Sequence, residues 1–296
     1  MAAMARFGAV GCAMVTPFDR DGALDLEGAV TLARWLCDHG NDFLVVTGTT
    51  GESPVLSDSE KAEVWRAVAS AVTVPVVAGT STADTAHSVE LTKSAVAAGV
   101  AGILAVTPYY SRPSQSGIEA HMRAVGAAAR GLPMLLYDIP ARTGRKVAPE
   151  AILRLAADQV ITGVKDATAN PAGTAALLAE APTGFEIYSG NDADTLPLLA
   201  IGAVGTISVE SHWAGEEVAE MIAAFAKGDV EHARQVNARL LPSHRFQSTD
   251  EAPNPVPAKA MLRTLGLPGG RCRLPLGPEP EGIETTARHV FSDLRG

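Results

Sequence analysis

Lys165 closes the apolar run Val160-Ile161-Thr162-Gly163-Val164. A lysine at the mouth of an apolar chamber is poorly solvated, so its pKa falls and it offers neutral amine at pH 7. A desolvated amine is what attack on a carbonyl to form a Schiff base requires. The same side chain can equally lay its stem along an apolar wall and reach solvent. Gly48-Thr49-Thr50-Gly51 offers two hydroxyls and backbone N–H groups between glycines, suited to holding a carboxylate and passing protons. An ordinary βα turn looks alike, and Glu52 stands where a phosphate-binding loop carries lysine. Tyr110 and Tyr137 are two of four tyrosines; a phenol can shuttle protons or simply pack. The planar fork of Arg142 suits a substrate carboxylate, or a salt bridge to Glu52 or Asp138. Asn191-Asp192-Ala193-Asp194 reads as the cap of a helix running to Ala200 rather than as a cation site.

These residues need elements that bring them together. Near-continuous apolar runs recur at 9–15, 42–46, 74–78, 102–106, 134–137, 161–164, 185–188 and 205–209. Strands covered on both faces read this way, which implies a parallel sheet. Helical stretches alternate with them. Asp25 and Asp84 stand at helix starts, Ser57 and Glu60 form a capping box, and Pro149 fits a first turn. Gly40, Gly99 and Gly131 stand where helix C-caps belong. Eight strand–helix units predict an α/β fold, a TIM (β/α)8 barrel over 1–227, whose chemistry sits at the C-terminal ends of the strands. A doubly wound sheet is the other arrangement, but no G-x-G-x-x-G follows the first run. Residues 228–296 read as a helical region on the barrel, with helices expected over 230–241, 255–265 and 283–294 between Pro-rich turns.

The chain has 296 residues, net charge −9 and 47% hydrophobic residues, a globular composition. An acidic surface disfavours nucleic acid as a partner. Three scattered cysteines and seven histidines without metal-ligand spacing suggest neither disulfides nor a metal site, and point to a reducing compartment. No apolar run reaches the length of a membrane span. The apolar N-terminal stretch reads as a first strand rather than a signal peptide, since Thr16-Pro17-Phe18-Asp19 ends it without a cleavage site.

Taken together, the motifs resemble the class I aldolase family of dihydrodipicolinate synthase and N-acetylneuraminate lyase. The resemblance runs from Ala13-Met14-Val15-Thr16-Pro17-Phe18 through GTTGES at 48–53, VTPYYSRPSQ at 106–115, YDIPART at 137–143, GVKDAT at 163–168 and SGNDA at 189–193 to ISV at 207–209 and PNPVPAK at 253–259. Thr49-Thr50, Tyr109-Tyr110 and Arg142 follow the synthase pattern within it. Asn191 and the segment Glu210-Ser211-His212-Trp213 depart from the usual form. The resemblance implies that Lys165 forms a Schiff base with pyruvate, that Tyr137 gives and takes the proton, and that Thr49, Thr50 and Tyr110 complete a relay. It implies that Tyr110 reaches the neighbouring protomer's site, that Thr50, Gly190 and the backbone near Ile207 hold pyruvate, and that Arg142 binds the carboxylate of aspartate semialdehyde. No metal or organic cofactor is expected, because the lysine is the electron sink. A cytoplasmic homotetramer built from two tight dimers is the expected assembly. Another pyruvate-dependent aldolase of the family, acting on a sugar acid or hydroxy-oxoglutarate, and a non-catalytic binding barrel are the other readings.

Overall fold

The computed structural model describes residues 5–296. Its eight strands are β1 (Val10–Ala13), β2 (Phe43–Val46), β3 (Val76–Gly79), β4 (Gly102–Val106), β5 (Met134–Asp138), β6 (Gly163–Asp166), β7 (Glu186–Ser189) and β8 (Gly205–Ser208). Each pairs in parallel with the next, and β8 closes on β1, so the sheet is a barrel.

Alternation along the strands sorts the side chains into two layers. Ala13, Val45, Val77, Leu104, Leu135, Tyr137, Ala167, Tyr188 and Ile207 form one cluster with Phe7 and Phe43, the filled barrel interior. The intervening residues, such as Cys12, Leu44, Ile103, Leu136, Val164 and Ile187, belong to a second cluster shared with the surrounding helices. Lys165 is in register with Tyr137 on β5 and Tyr188 on β7, so it faces inward with them.

The helices are α1 (Leu26–Asp38), α2 (Asp58–Ala71), α3 (Thr85–Ala97), α4 (Gln115–Ala128), α5 (Pro140–Thr143), α6 (Pro149–Ala157), α7 (Pro171–Glu180), α8 (Thr195–Ala200), α9 (Ser211–Ala226), α10 (Val230–Phe246), α11 (Val256–Thr264) and α12 (Ile283–Arg295). The expected caps form. Asp25 accepts from Gly28 N–H, Asp84 from Ala86 and His87 N–H, and Ser57 with Glu60 completes the capping box. Gly40, Gly99 and Gly131 have φ of 84°, 85° and 87°, which glycine adopts without a Cβ penalty.

The differences from the sequence reading are local. Lys165 lies inside β6 rather than after it, because an inward-facing residue at the barrel rim still holds ladder partners. Arg142 sits on the one-turn helix α5. α10 continues past the expected end through Pro242 to Phe246. Asp192 does not cap α8, which has no side-chain cap; its carboxylate instead accepts from Val209 N–H (2.9 Å) and Glu210 N–H (3.2 Å) beyond β8.

Candidate active site

The C-terminal rim of the barrel holds most of the residues singled out in the sequence. Lys165 is 5% exposed, and its Nζ stands 4.4 Å from the centroid of the Tyr137 ring. It forms no ion pair or hydrogen bond with any described residue, so it is not a lysine reaching out to solvent. Burial lowers its pKa to about 8; the Arg142 charge lowers it further, while Asp192 and Cys12 act against them. About a tenth of the amine is therefore neutral at pH 7, against fewer than about one in a thousand for an ordinary lysine. Burial raises the Tyr137 phenol to about 12, with Arg142 opposing. Its proton is thus held firmly at neutral pH and is available to be given.

Tyr137, Arg142 and Thr49 line one cavity of about 230 Å³, together with Ser53, Ser81 and Tyr109. Arg142 makes neither of the salt bridges considered above. Glu52 is paired with Lys259 at 2.6 Å, and Asp138 accepts weakly from Val147 N–H. The Arg142 guanidinium makes no hydrogen bond or ion pair with any described residue and lines the cavity.

The threonine turn after β2 is pinned rather than loose. Thr47 and Glu52 bracket it in the left-handed region, with φ of 53° and 56°. Thr16 donates to Gly51 C=O at 2.7 Å, and Trp65 Nε1 donates to Thr47 Oγ1 at 2.7 Å. Thr50 and Glu52 are buried. Among the described residues, nothing accepts the N–H groups of Thr49, Thr50 and Gly51. Neighbouring N–H groups left unspent in a fixed turn make a cradle for a carboxylate.

Gly190 follows β7 and donates its N–H to Asp166 C=O at 2.7 Å. A Cβ there would come within 2.9 Å of the Ala167 side chain and 3.0 Å of Asp166 O, so only glycine lets β6 and β7 approach this closely. Ile207 is buried in the barrel interior on β8, in register with Gly11. Tyr137, Lys165 and Ile207 thus stand on β5, β6 and β8, with Gly190 directly after β7. Tyr110 does not join them within its own chain. It is 93% exposed with φ of 68°, and Tyr109 takes the place in the cavity wall. The left-handed turn at Tyr110 swings consecutive tyrosines to opposite sides.

Sequence reasoning missed the residues that hold the turn from the other end of the chain. Asn254 Nδ2 donates to Thr50 Oγ1 at 2.9 Å, and Lys259 holds Glu52. PNPVPAK was visible as a motif, but no local signal ties it to a turn some 200 residues earlier. The departing segment at 210–213 proves structural. His212 accepts from Val15 N–H at 3.1 Å and pairs with Val209 C=O at 2.7 Å, while Glu210 pairs with His244 at 2.8 Å. Among the described residues no group of three or more His, Cys, Asp or Glu is placed to hold a metal ion, and no helix is long and apolar enough to cross a membrane.

A closed parallel barrel with an unpaired lysine inside its mouth, 4.4 Å from the centroid of a tyrosine ring, has the form of a lysine-dependent aldolase. Comparison with known proteins narrows this. The model of the dihydrodipicolinate synthetase family matches residues 6–293, and the chain belongs to that family. It is 50% identical to a 4-hydroxy-tetrahydrodipicolinate synthase of Acidothermus cellulolyticus over 288 residues, 97% of this chain and 90% of the relative. Among solved structures, it resembles dihydrodipicolinate synthase DapA-2 of Bacillus anthracis, with a TM-score of 0.93, 38% identity and coverage of 98% and 99% of the two chains. It also resembles the Cyanidioschyzon merolae enzyme solved with lysine bound, with a TM-score of 0.94, 40% identity and 98% of each chain covered.

Proposed function

We propose that this chain condenses pyruvate with L-aspartate 4-semialdehyde to give 4-hydroxy-tetrahydrodipicolinate, the committing step toward diaminopimelate and lysine. The observation that carries the reading is Lys165, buried and unpaired with its Nζ 4.4 Å from the centroid of the Tyr137 ring, where burial lowers its pKa. The free N–H groups of the threonine turn receive the pyruvate carboxylate, with Thr50, Gly190 and Ile207 around it. The Lys165 amine attacks the keto carbon, and the carbinolamine loses water with a proton from Tyr137. The phenolate then takes a methyl proton, leaving an enamine. The enamine carbon attacks the aldehyde, whose own carboxylate lies against Arg142, and Tyr137 protonates the new alkoxide. The substrate amine adds to the imine carbon, closes the ring and releases Lys165. The lysine acts as electron sink, so the reaction as written uses no metal or organic cofactor.

Thr49, Thr50 and Tyr110 serve as the proton relay, with Tyr110 supplied by the neighbouring protomer. Its 93% exposure beside a left-handed turn suits insertion into another copy. A homotetramer acting in the cytoplasm is the proposed assembly, with 1–227 as the barrel and 228–296 as the helical region. Inactive Tyr110→Phe and Lys165→Ala subunits, mixed into hybrids, should then regain part of the activity. Hybrids seen by native mass spectrometry but without recovery would contradict the shared tyrosine.

Product formation with aspartate semialdehyde, set against sugar-acid aldehydes and glyoxylate, tests the substrate assignment. Preference for the semialdehyde that collapses in Arg142→Ala is expected. Equal use of glyoxylate or of a sugar-derived aldehyde would favour the other aldolases of the family.

A further inference from the structure

The proposed reaction sends protons through the Thr50 hydroxyl, which has one proton to give and two lone pairs. Which way that proton points is set by what Thr50 accepts. Asn254 Nδ2 donates to Thr50 Oγ1 at 2.9 Å, in a buried contact that crosses 204 residues of chain. Thr50 donates to no described residue, so its own proton is left pointing elsewhere. Asn254 keeps this orientation at a cost: its Oδ1 is buried without a partner. A buried orphaned acceptor needs a reason, and presenting the amide N–H to Thr50 supplies one. The segment that carries Asn254 is anchored twice more. Asn254 N–H donates to Ser248 Oγ at 3.1 Å, and Lys259 holds Glu52, two residues beyond Thr50, through an ion pair whose side chains are both fully buried.

We infer that Asn254 is a positioning residue for the reaction: by donating to Thr50 Oγ1 it makes that hydroxyl a proton donor toward the reacting centre. The inference rests on the Lys165 reaction proposed above. The helical region beyond the barrel thereby supplies part of the proton path, through a residue that touches no substrate.

Reversing the hydrogen bond tests it. Asn254→Asp keeps the size of the side chain but offers an ionised acceptor, which takes the Thr50 proton and turns the hydroxyl around. Asn254→Ala removes the partner and leaves the hydroxyl free to rotate. A role in packing alone makes any extra loss in Asp the cost of a buried charge, which persists when Thr50 is replaced by Val. A role in proton direction makes Asp the worse one, with kcat about tenfold below Asn254→Ala at pH 8, within the range of a misdirected general acid–base step. The kcat of Asn254→Asp relative to wild type should rise as pH falls toward the ordinary carboxylate range, because a protonated carboxyl donates again; taking the ratio cancels the titration of Lys165. In a Thr50→Val background the two Asn254 variants should have equal kcat, a comparison that stands even where one variant melts earlier. Trapping of pyruvate on Lys165 by borohydride is followed in every protein. Trapping in wild type, with Asn254→Asp as active as Asn254→Ala and a ratio flat in pH, overturns this inference alone. Wild type that traps no pyruvate on Lys165 overturns the reaction and the inference with it.

Discussion

Lys165 and Lys259 are both buried, yet the structure treats them in opposite ways. Lys259 is 0% exposed and is neutralised by Glu52 at 2.6 Å, with its Nζ also donating to Arg271 C=O and lying 4.0 Å from the Phe18 ring centroid. Lys165 has a ring beside it but no carboxylate within ion-pair reach. Burial pushes both pKa values down; at Lys259 both the charge and the hydrogen bond of the paired Glu52 pull back, whereas at Lys165 the Asp192 charge pulls back from beyond ion-pair reach and the Arg142 charge works against it. Burial alone therefore does not make a nucleophile; what matters is whether the buried charge is given a partner. The third buried lysine, Lys61, has Asp58 at 3.9 Å, so among the described residues Lys165 is the one buried lysine left unpaired.

The contrast is broken most severely by replacing each lysine in turn. Lys165→Met should lose activity by at least about a thousandfold, because binding alone does not replace a covalent path. The same change should not destabilise the fold. A folded-state pKa of about 8 instead of 10.5 means the folded protein binds fewer protons than the unfolded chain between those values. The resulting penalty grows as pH drops from 10.5 to 8 and is constant below, at about 3 kcal/mol. Removing the amine removes the penalty, so calorimetry at pH 7 should show an equal or higher Tm. Lys259→Met should do the reverse. It strands Glu52 in the interior at a cost of about 3–5 kcal/mol, and pairing it with Glu52→Gln should return part of the lost stability. A Lys259→Met protein as stable as wild type would remove the distinction between the two sites.

A smaller effect sharpens the comparison. Arg142→Ala should raise KM for aspartate semialdehyde by roughly 10- to 100-fold, the usual worth of a charge-assisted hydrogen bond. It also deletes a cation near Lys165, so the alkaline rise of pyruvate trapping should move to higher pH. In wild type that rate should climb about tenfold per pH unit below 8 and level off above it, as the neutral amine becomes the main form. An unshifted edge in Arg142→Ala would show that the two charges do not feel each other.

Much of this could be read from the chain. Parallel strands buried on both faces announce themselves by continuous apolar runs, and the glycines at 40, 99 and 131 marked helix ends because few other residues accept their φ. Lys165 and Tyr137 were legible as neighbours at a barrel mouth, since strand order and alternation fix them to one face. The partners were not. Glu52 followed a recognisable turn but gave no sign that a lysine 207 positions later neutralises it, so a salt bridge from Arg142 to Glu52 or Asp138 stayed open beside the substrate carboxylate. The outward turn of Tyr110 depends on one backbone dihedral, which residue type does not encode. Asp192 looked like a helix cap because its neighbours suited one, while its carboxylate is spent on the chain beyond β8.

The most direct measurement is borohydride reduction in the presence of pyruvate, followed by peptide mapping of all six lysines. One reduced pyruvyl group on Lys165, with Lys61, Lys146 and Lys259 unmodified, is the result the account predicts. An adduct on Lys259, or a Lys165→Met protein that still traps pyruvate, would contradict it.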